Sequence, residues 1–237
     1  KKIHPLLYKV SELVKERRNQ LDDLDELILD PELQEVYGKL NNEDIVILNE
    51  FHKSRGFRKL HLEIAVIGSS LQILHCVFFP NTCYDLPIFG VDLVVNPEGV
   101  SAAIVDLSPV GDELPSSFDS KLKVLNIHNY NNVRNLPEWG DIFSRYVCFI
   151  KPIDQDEEDA FIKQVDNYLQ LLVSVAHYAE PDSPSSSKSI ERYNRQKTYC
   201  FNQKRNDKTR NVLTQIFNSS WADRYIDIVL FDNPSSP

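Results

Sequence analysis

The sequence predicts an α+β fold in which a group of β-strands lies between helical segments. Between about residues 45 and 150, short runs rich in β-branched and aromatic residues alternate with Gly, Pro, Asn and Ser. The segments before and after this region repeat apolar residues at helical spacing. Short turns between neighbouring runs indicate antiparallel pairing, in a layered domain rather than a doubly wound one. With 237 residues, 42% of them hydrophobic, the chain can bury one ordinary core, so we expect a single domain over residues 1–237.

The elements follow in order along the chain. Leu6, Val10, Leu13 and Val14 predict an amphipathic helix, and the acidic, leucine-rich segment that continues to Leu33 is expected to be helical as well. Strands are predicted at residues 45–48, 61–67, 71–79, 91–95, 100–107 and 146–150.

The last third of the sequence is predicted to be helical. Carboxylates at residues 154–159 precede an apolar repeat that begins at Phe161, and acidic residues favour a helix N-terminus, so a long helix should run to about Tyr178. Residues 181–187 have the composition of a loop. A second long helix should cover much of residues 188–217, and a last one should lie around 221–229.

Composition excludes several classes of protein. The apolar runs are shorter than the roughly 20 residues that a membrane helix needs, so we expect a soluble protein. A net charge of −9 disfavours binding to nucleic acid. No glycine-rich nucleotide-binding motif is present. Four cysteines without a C-x-x-C pair indicate a reducing compartment: Cys76, Cys83, Cys148 and Cys200. The sequence begins at Lys1 rather than Met, which leaves a targeting peptide open.

The hairpin around residues 68–70 carries the first chemical signal. If its loop has three residues, Ile67 pairs with Leu71 and Glu63 faces His75, while His61 lies on the same face. A Glu–His pair in an apolar row is a common way to tune a proton donor. A core histidine that binds a backbone carbonyl is the alternative, and a two-residue loop would change the register.

The next hairpin adds an acid. A four-residue loop at 96–99 would place Val95 opposite Val100, so that Asp92, Val94, Ser101 and Ala103 share one face. Aspartate is disfavoured in strands, so Asp92 should be either buried with a partner or catalytic. An edge strand with Asp92 in water is the alternative. Zinc is a weaker interpretation, because the H-E-x-x-H motif is absent.

Basic residues concentrate in one segment of this acidic chain. Residues 188–210 contain two acids, Glu191 and Asp207, and the basic residues Lys188, Arg192, Arg195, Lys197, Lys204, Arg205, Lys208 and Arg210. Such a segment could bind an acidic partner. A solvated helix face is the alternative.

Several motifs resemble those of the ferredoxin-dependent bilin reductases. They are FRKLHLE (57–63), ILHCV (73–77), YDLPIFG (84–90), DLV (92–94), SAAI (101–104), DLSPV (106–110), LPEWG (136–140), NDKTR (206–210) and LFD (230–232). The similarity extends over residues 4–232 and is weak before residue 50 and around 183–193. Because His75 occurs together with Glu63 and Asp92, the branch that makes phycocyanobilin is the most similar.

The resemblance implies a fold and a reaction. The fold would be a three-layer α/β/α sandwich with a central antiparallel sheet. Reduced ferredoxin, a [2Fe-2S] protein, would supply single electrons for the four-electron reduction of biliverdin IXα to phycocyanobilin through bilin radicals, with no bound flavin, metal or nicotinamide. Heme oxygenase would be the upstream supplier, and the protein would be a monomer. It would be cytoplasmic in a cyanobacterium or phage, and would lie in the plastid stroma of an alga.

The resemblance also implies roles for individual residues. Glu63 would donate a proton to the D-ring vinyl group, and His75 with Asp92 would protonate the bilin at its lactams and A-ring. Asp207 would contribute from the helical side, with His61 behind the site. Other positions match substrate-binding residues: Ser101, Asn206, Lys208 and Val212.

Two rival functions remain open. A reductase with nearly the same site could make another isomer, such as phycoerythrobilin, although Glu63 favours reduction of the D-ring vinyl. A bilin carrier without catalysis is the second rival, and the full set of titratable residues argues against it.

Overall fold

The computed structural model describes residues 2–237, and its centre is an eight-stranded sheet in which all neighbours pair antiparallel. The spatial order is β1-β3-β4-β5-β6-β7-β8, and β2 also pairs with β3. The strands are β1 (Asp25–Glu26), β2 (Glu35–Leu40), β3 (Glu43–Ser54), β4 (Phe57–Ile67), β5 (Leu71–Pro80), β6 (Ile88–Asn96), β7 (Gly99–Ser108) and β8 (Cys148–Ile150).

Helices precede, interrupt and follow the strands. They are α1 (Pro5–Arg18), α2 (Ser116–Leu122), α3 (Gln155–Tyr178), α4 (Ser187–Gln203), α5 (Asp207–Ile216) and α6 (Ser219–Tyr225), and α6 continues into a π-helical turn, Ile226–Leu230. As the acidic run at 154–159 predicts, α3 begins with the Asp154 side chain accepting from the Glu157 amide. Within residues 2–237, every helix is too short or too polar to cross a bilayer.

Two apolar cores lie on opposite faces of the sheet. On one face, α1, α2 and α3 cover strand residues such as Leu62, Leu74 and Phe78. On the other, α4, α5 and α6 cover residues such as Val77 and Phe79. The α+β class and the three-layer sandwich are therefore confirmed.

Two predicted elements differ from the structure, and two observed elements were not predicted. The segment 19–33 is not helical, since Asp23 takes a left-handed backbone conformation (φ 54°), and a two-residue strand and a 3-10 turn at Pro31–Leu33 follow. The helix expected over much of 188–217 is divided into α4 and α5, because the Asn206 side chain accepts from the Lys208 amide and starts a new helix. Neither β2 nor α2 was predicted.

The first hairpin has the predicted register, with Ile67 opposite Leu71 and Glu63 opposite His75. The predicted register of the second hairpin, around residues 96–99, was partly wrong. Val95 does face Val100, but a β-bulge between Val94 and Val95 shifts the rest by one residue.

As a result, Asp92 faces Ile104, and Val94 faces Ala102. Ala103 therefore belongs to the opposite face, where it is fully buried in the core beneath α3.

Candidate functional site

A row of side chains crosses the sheet on the face covered by α4, α5 and α6. Asn49 pairs with Glu63, Glu63 with His75, His75 with Asp92, and Asp92 with Ile104, each on the next strand. Directly paired residues project to the same side of a sheet, and neighbouring strands lie about 4.8 Å apart. Three titratable groups from three adjacent strands are thus brought together at one level.

A cleft of about 690 Å³ lies between this row and the C-terminal helices. The sheet forms its floor, and the α4–α5 junction, the segment that contains Arg134 and Trp139, and the C-terminal Leu230 and Phe231 form its walls. The volume is within the range of about 300–1,000 Å³ typical of small-molecule sites. Mostly apolar walls around a few convergent polar groups are the usual design of such a site.

His75 and Asp92 form an ion pair on the floor of the cleft. The imidazole Nδ1 lies 2.6 Å from Asp92 Oδ1, whereas Nε2 has no hydrogen-bond partner among the described residues. Burial by itself would lower the pKa of His75, but the charge and hydrogen bond of Asp92 outweigh it and raise the pKa above its ordinary 6.5. The pairing therefore favours the protonated imidazole.

Glu63 is the second titratable group of the row with a shifted pKa. Its Oε2 accepts a hydrogen bond from the Tyr225 hydroxyl at 2.5 Å, and the residue is 93% buried at the floor of the cleft. Burial raises the pKa of this carboxyl, with partial opposition from His75 and from the Tyr225 hydrogen bond. A carboxyl with a raised pKa is suited to donate a proton to a bound molecule.

A sequence model of the ferredoxin-dependent bilin reductases matches residues 11–232. This chain belongs to that family. Phycocyanobilin:ferredoxin oxidoreductase of one Prochlorococcus marinus strain is 50% identical over 98% of this chain and 94% of the relative. The enzyme of the same name from Synechococcus sp. (strain CC9902) is 48% identical over 99% of this chain and 96% of its own length.

One solved structure has the same fold at low sequence identity. Tomato phytochromobilin synthase in complex with biliverdin superposes with a TM-score of 0.75 over 94% of this chain and 82% of that chain, at 15% identity. The two proteins thus share the sandwich fold.

In this bilin reductase, His61 lies behind the cleft rather than in its wall. The ring is fully buried, stacks on Phe51 at 4.7 Å, and has its Nε2 2.7 Å from Asn49 Oδ1. Burial, with the neighbouring Lys59 and His75, holds the pKa of His61 well below its ordinary value. His61 therefore lies behind the cleft, where its surroundings favour the neutral imidazole.

The remaining predicted residues lie mostly on the helical side. Asn206, Asp207 and Lys208 line the cleft at the start of α5, and Ser101 lines it from β7. Val212 was predicted to bind substrate, but it is not part of the cleft wall and packs instead into the core beneath α5. It lies one helical turn beyond Lys208 in α5 and is partly buried.

Sequence reasoning missed three residues of the site. Tyr225 donates a hydrogen bond to Glu63, and Asn49 binds both Tyr225 and His61. Arg134 lines the cleft. Its guanidinium lies over the Phe149 ring and donates to the Ser101 carbonyl. Tyr225 is 162 residues from Glu63, so no local pattern could have connected them. Within residues 2–237, no group of three or more His, Cys, Asp or Glu residues is arranged to hold a metal ion.

Proposed function

We propose that this enzyme reduces biliverdin IXα to phycocyanobilin, with electrons from [2Fe-2S] ferredoxin and protons from its own side chains. The observation that carries the proposal is the row of Glu63, His75 and Asp92 at one level of the sheet, facing an apolar cleft. Relatives named for this activity, at about half sequence identity over almost the whole chain, support it.

The reaction adds four electrons and four protons, two of each at the vinyl group of the D-ring and two of each at the A-ring. Electrons that enter singly would leave negative charge on the bilin, and unpaired charge in an apolar cleft is costly. A proton from the His75–Asp92 pair, whose pKa is raised by that pairing, removes this cost before or with electron entry. Proton supply is therefore the main chemical task of the protein.

The spacing of the row supports a division of labour. Glu63 and Asp92 lie on strands separated by one other strand, which corresponds to about 10 Å across the sheet. Donors that far apart reach different rings of a linear tetrapyrrole. We assign the D-ring vinyl to Glu63, and the lactams and the A-ring to His75 and Asp92. Asp207 assists from across the cleft.

Cations at the cleft fit the two propionates of biliverdin. Arg134 and Lys208 both line it, one from each side, and an arginine fork can bind a carboxylate through two hydrogen bonds. Ser101 and Asn206 add polar contacts beside them. These groups would fix which ring lies over which donor.

The basic segment provides a docking surface for ferredoxin. Several of its cations have carboxylate partners within the chain, in the pairs Arg192–Asp182, Arg195–Asp112, Lys204–Asp227 and Arg210–Asp223. Arg205 and Lys208 have no such partner among residues 2–237, and both line the cleft. Unpaired cations at the cleft favour an acidic donor that docks beside the bilin.

An anaerobic assay with biliverdin, ferredoxin and an electron source tests the proposal, with products separated by chromatography. Phycocyanobilin as the end product is the expected result. Phycoerythrobilin would mean the other isomer, and unchanged biliverdin in a stable complex would mean a carrier; either result would contradict the proposal. A reaction without ferredoxin serves as the control.

A further inference from the structure

Tyr225 makes the closest polar contact of Glu63. Its hydroxyl oxygen lies 2.5 Å from Glu63 Oε2 and 3.2 Å from Asn49 Oδ1, so its single proton is directed to the carboxyl. Glu63 Oε1 accepts no hydrogen bond from any residue of the described chain, and the side chain borders the cleft. One carboxyl oxygen is held, and the other is left for substrate.

Asn49 fixes the direction of this hydrogen bond. Its Nδ2 lies 2.7 Å from the Leu33 carbonyl, which can only accept, so the amide nitrogen must point that way. The same Nδ2 donates to the Tyr225 hydroxyl at 2.8 Å, and Oδ1 then accepts from His61 Nε2. Because a lone pair of the hydroxyl oxygen is already occupied, its proton remains directed at Glu63.

The ring of Tyr225 is held as firmly as its hydroxyl. It is 99% buried and stacks on Trp221, with centroids 4.9 Å apart and planes at 13°. The π-helical turn that begins at Ile226 follows directly, and such turns occur frequently at functional sites. Neither the ring nor its hydroxyl can turn away from Glu63 without breaking these contacts.

We propose that Tyr225 is a positioning residue for Glu63, which holds one carboxyl oxygen so that the other faces the bound bilin. The inference rests on the proposed function only in taking Glu63 as a proton donor. Tyr225 itself touches no substrate atom in this assignment, and it acts through the carboxyl.

This role has a consequence for acidity. A hydrogen bond donated to a carboxylate stabilises the charged form, so the Tyr225 hydroxyl lowers the pKa of Glu63 against the upward effect of burial. Loss of the hydroxyl should therefore raise that pKa. The other charged or titratable groups that face the same space stay in place: His75 on β5, Asp92 on β6, Asp207 and Lys208 on α5, and Arg134 and Arg205.

Infrared titration of the substrate-free protein tests the inference. In protein labelled with ¹³C-glutamate, the infrared band of the protonated Glu63 carboxyl is identified as the band that is absent from Glu63→Gln. In Tyr225→Phe, which keeps the ring, we expect the titration midpoint of that band to move to higher pH. The matched control is Tyr168→Phe, a fully buried tyrosine on the other face that donates to the Tyr146 carbonyl, and its midpoint should not move.

A second arm reverses the sign of the effect. Site-specific 3-fluorotyrosine at position 225 is nearly isosteric and a stronger donor, so the midpoint should move to lower pH. If Tyr225→Phe does not fold, the 3-fluorotyrosine variant alone tests whether Tyr225 controls the titration of Glu63. An unmoved midpoint in either folded variant would overturn the inference.

Turnover separates the inference from the proposed function. If both hold, Tyr225→Phe should slow D-ring reduction roughly tenfold, as expected for the loss of one charge-assisted hydrogen bond, and leave A-ring reduction faster than D-ring reduction. A shifted infrared midpoint with normal D-ring reduction would leave the positioning role intact and would contradict the assignment of Glu63 as donor.

Discussion

At the scale of single residues, Asp92 determines whether His75 is charged. His75 is buried, and without a carboxylate at 2.6 Å burial would lower its pKa. Asp92 reverses that effect and raises the pKa of His75 above its ordinary value. His75 should therefore lose its proton as the pH rises through this raised pKa.

We expect bound biliverdin to show the red-shifted absorbance of a protonated bilin, which disappears only as the pH rises above the raised pKa of His75. In Asp92→Asn, burial is unopposed, so the absorbance change should move to lower pH, and little fully reduced product should form. A pH titration of the visible spectrum of the complex measures this. An identical midpoint in both proteins would contradict the role given to the pair.

Glu63→Gln should separate the two reductions. Glutamine keeps the size of the side chain and can still accept from the Tyr225 hydroxyl, but it has no acidic proton for the D-ring vinyl. A-ring reduction should continue, and a product that retains the D-ring vinyl should accumulate, as measured by chromatography. The control is Glu98→Gln, in the exposed turn between β6 and β7. Phycocyanobilin formed at the normal rate would make Glu63 a structural partner of His75.

At the scale of secondary-structure elements, the C-terminus is anchored to the sheet by charge. Asp232 accepts from Arg58 Nη1 at 2.6 Å and from Lys59 Nζ at 2.5 Å, and Lys59 also donates to the Val229 carbonyl. Phe231, one residue earlier, lies edge-on to the His75 ring at 5.5 Å. This anchor, Arg58–Lys59–Asp232, thus holds a wall of the cleft against the His75 ring.

We expect Asp232→Asn to lower the free energy of unfolding by about 3 kcal/mol, because it leaves the buried Lys59 without a counter-charge. Lys59→Met in the same chain should recover most of that loss. Urea denaturation measures both variants. No recovery in the double variant would mean that Lys59 does not cause the loss.

The same anchor should give a pH dependence. Despite burial, Lys59 and Arg58 lower the pKa of Asp232 below its ordinary value. The stabilisation is therefore complete above the unfolded carboxyl pKa of about 3.9, and is lost as the pH falls through the lower folded-state pKa. In acid, the free energy of unfolding of the wild-type protein should fall more steeply with decreasing pH than that of Asp232→Asn, which lacks this contribution; urea denaturation at several pH values measures the difference.

The sequence predicted the elements that local chemistry determines. The register that pairs Glu63 with His75 follows from a three-residue loop in which Gly68 has a positive φ of 54°. No residue in the sequence indicates the β-bulge beside Val95, so Ala103 was assigned to the wrong face of the sheet. Contacts such as that of Tyr225 with Glu63 depend on how α6 packs on the sheet, which no local pattern contains.

At the scale of the whole molecule, charge is distributed unevenly. The chain carries a net charge of −9, yet residues 188–210 are basic, and Arg205 and Lys208 line the cleft without an ion-pair partner in the described part of the chain. Turnover with ferredoxin should fall steeply as salt is added, because exposed charges are screened over about 8 Å at physiological ionic strength.

Steady-state rates at several salt concentrations measure this. A double variant, Arg205→Gln with Lys208→Gln, should show a shallower dependence, and biliverdin binding measured alongside separates docking from substrate affinity. A flat dependence in the wild-type enzyme would make the segment a solvated helix face.

We also propose that the enzyme acts as a monomer, since the sequence has no heptad repeat or long apolar stripe. Sedimentation should give one species of 27.4 kDa at all concentrations. A dimer that persists on dilution would contradict this.

Backbone hydrogen bonds between the strands fix the row from Asn49 to Ile104. Successive positions of the row are therefore separated by the strand spacing of about 4.8 Å. Divergence within such a scaffold needs no movement of the backbone. One codon change can add or remove an acid at any position of the row, and under the proposed function the site of proton donation then moves by about one strand spacing. We therefore expect regiochemistry to change in discrete steps, which a laboratory library restricted to the positions of this row could test.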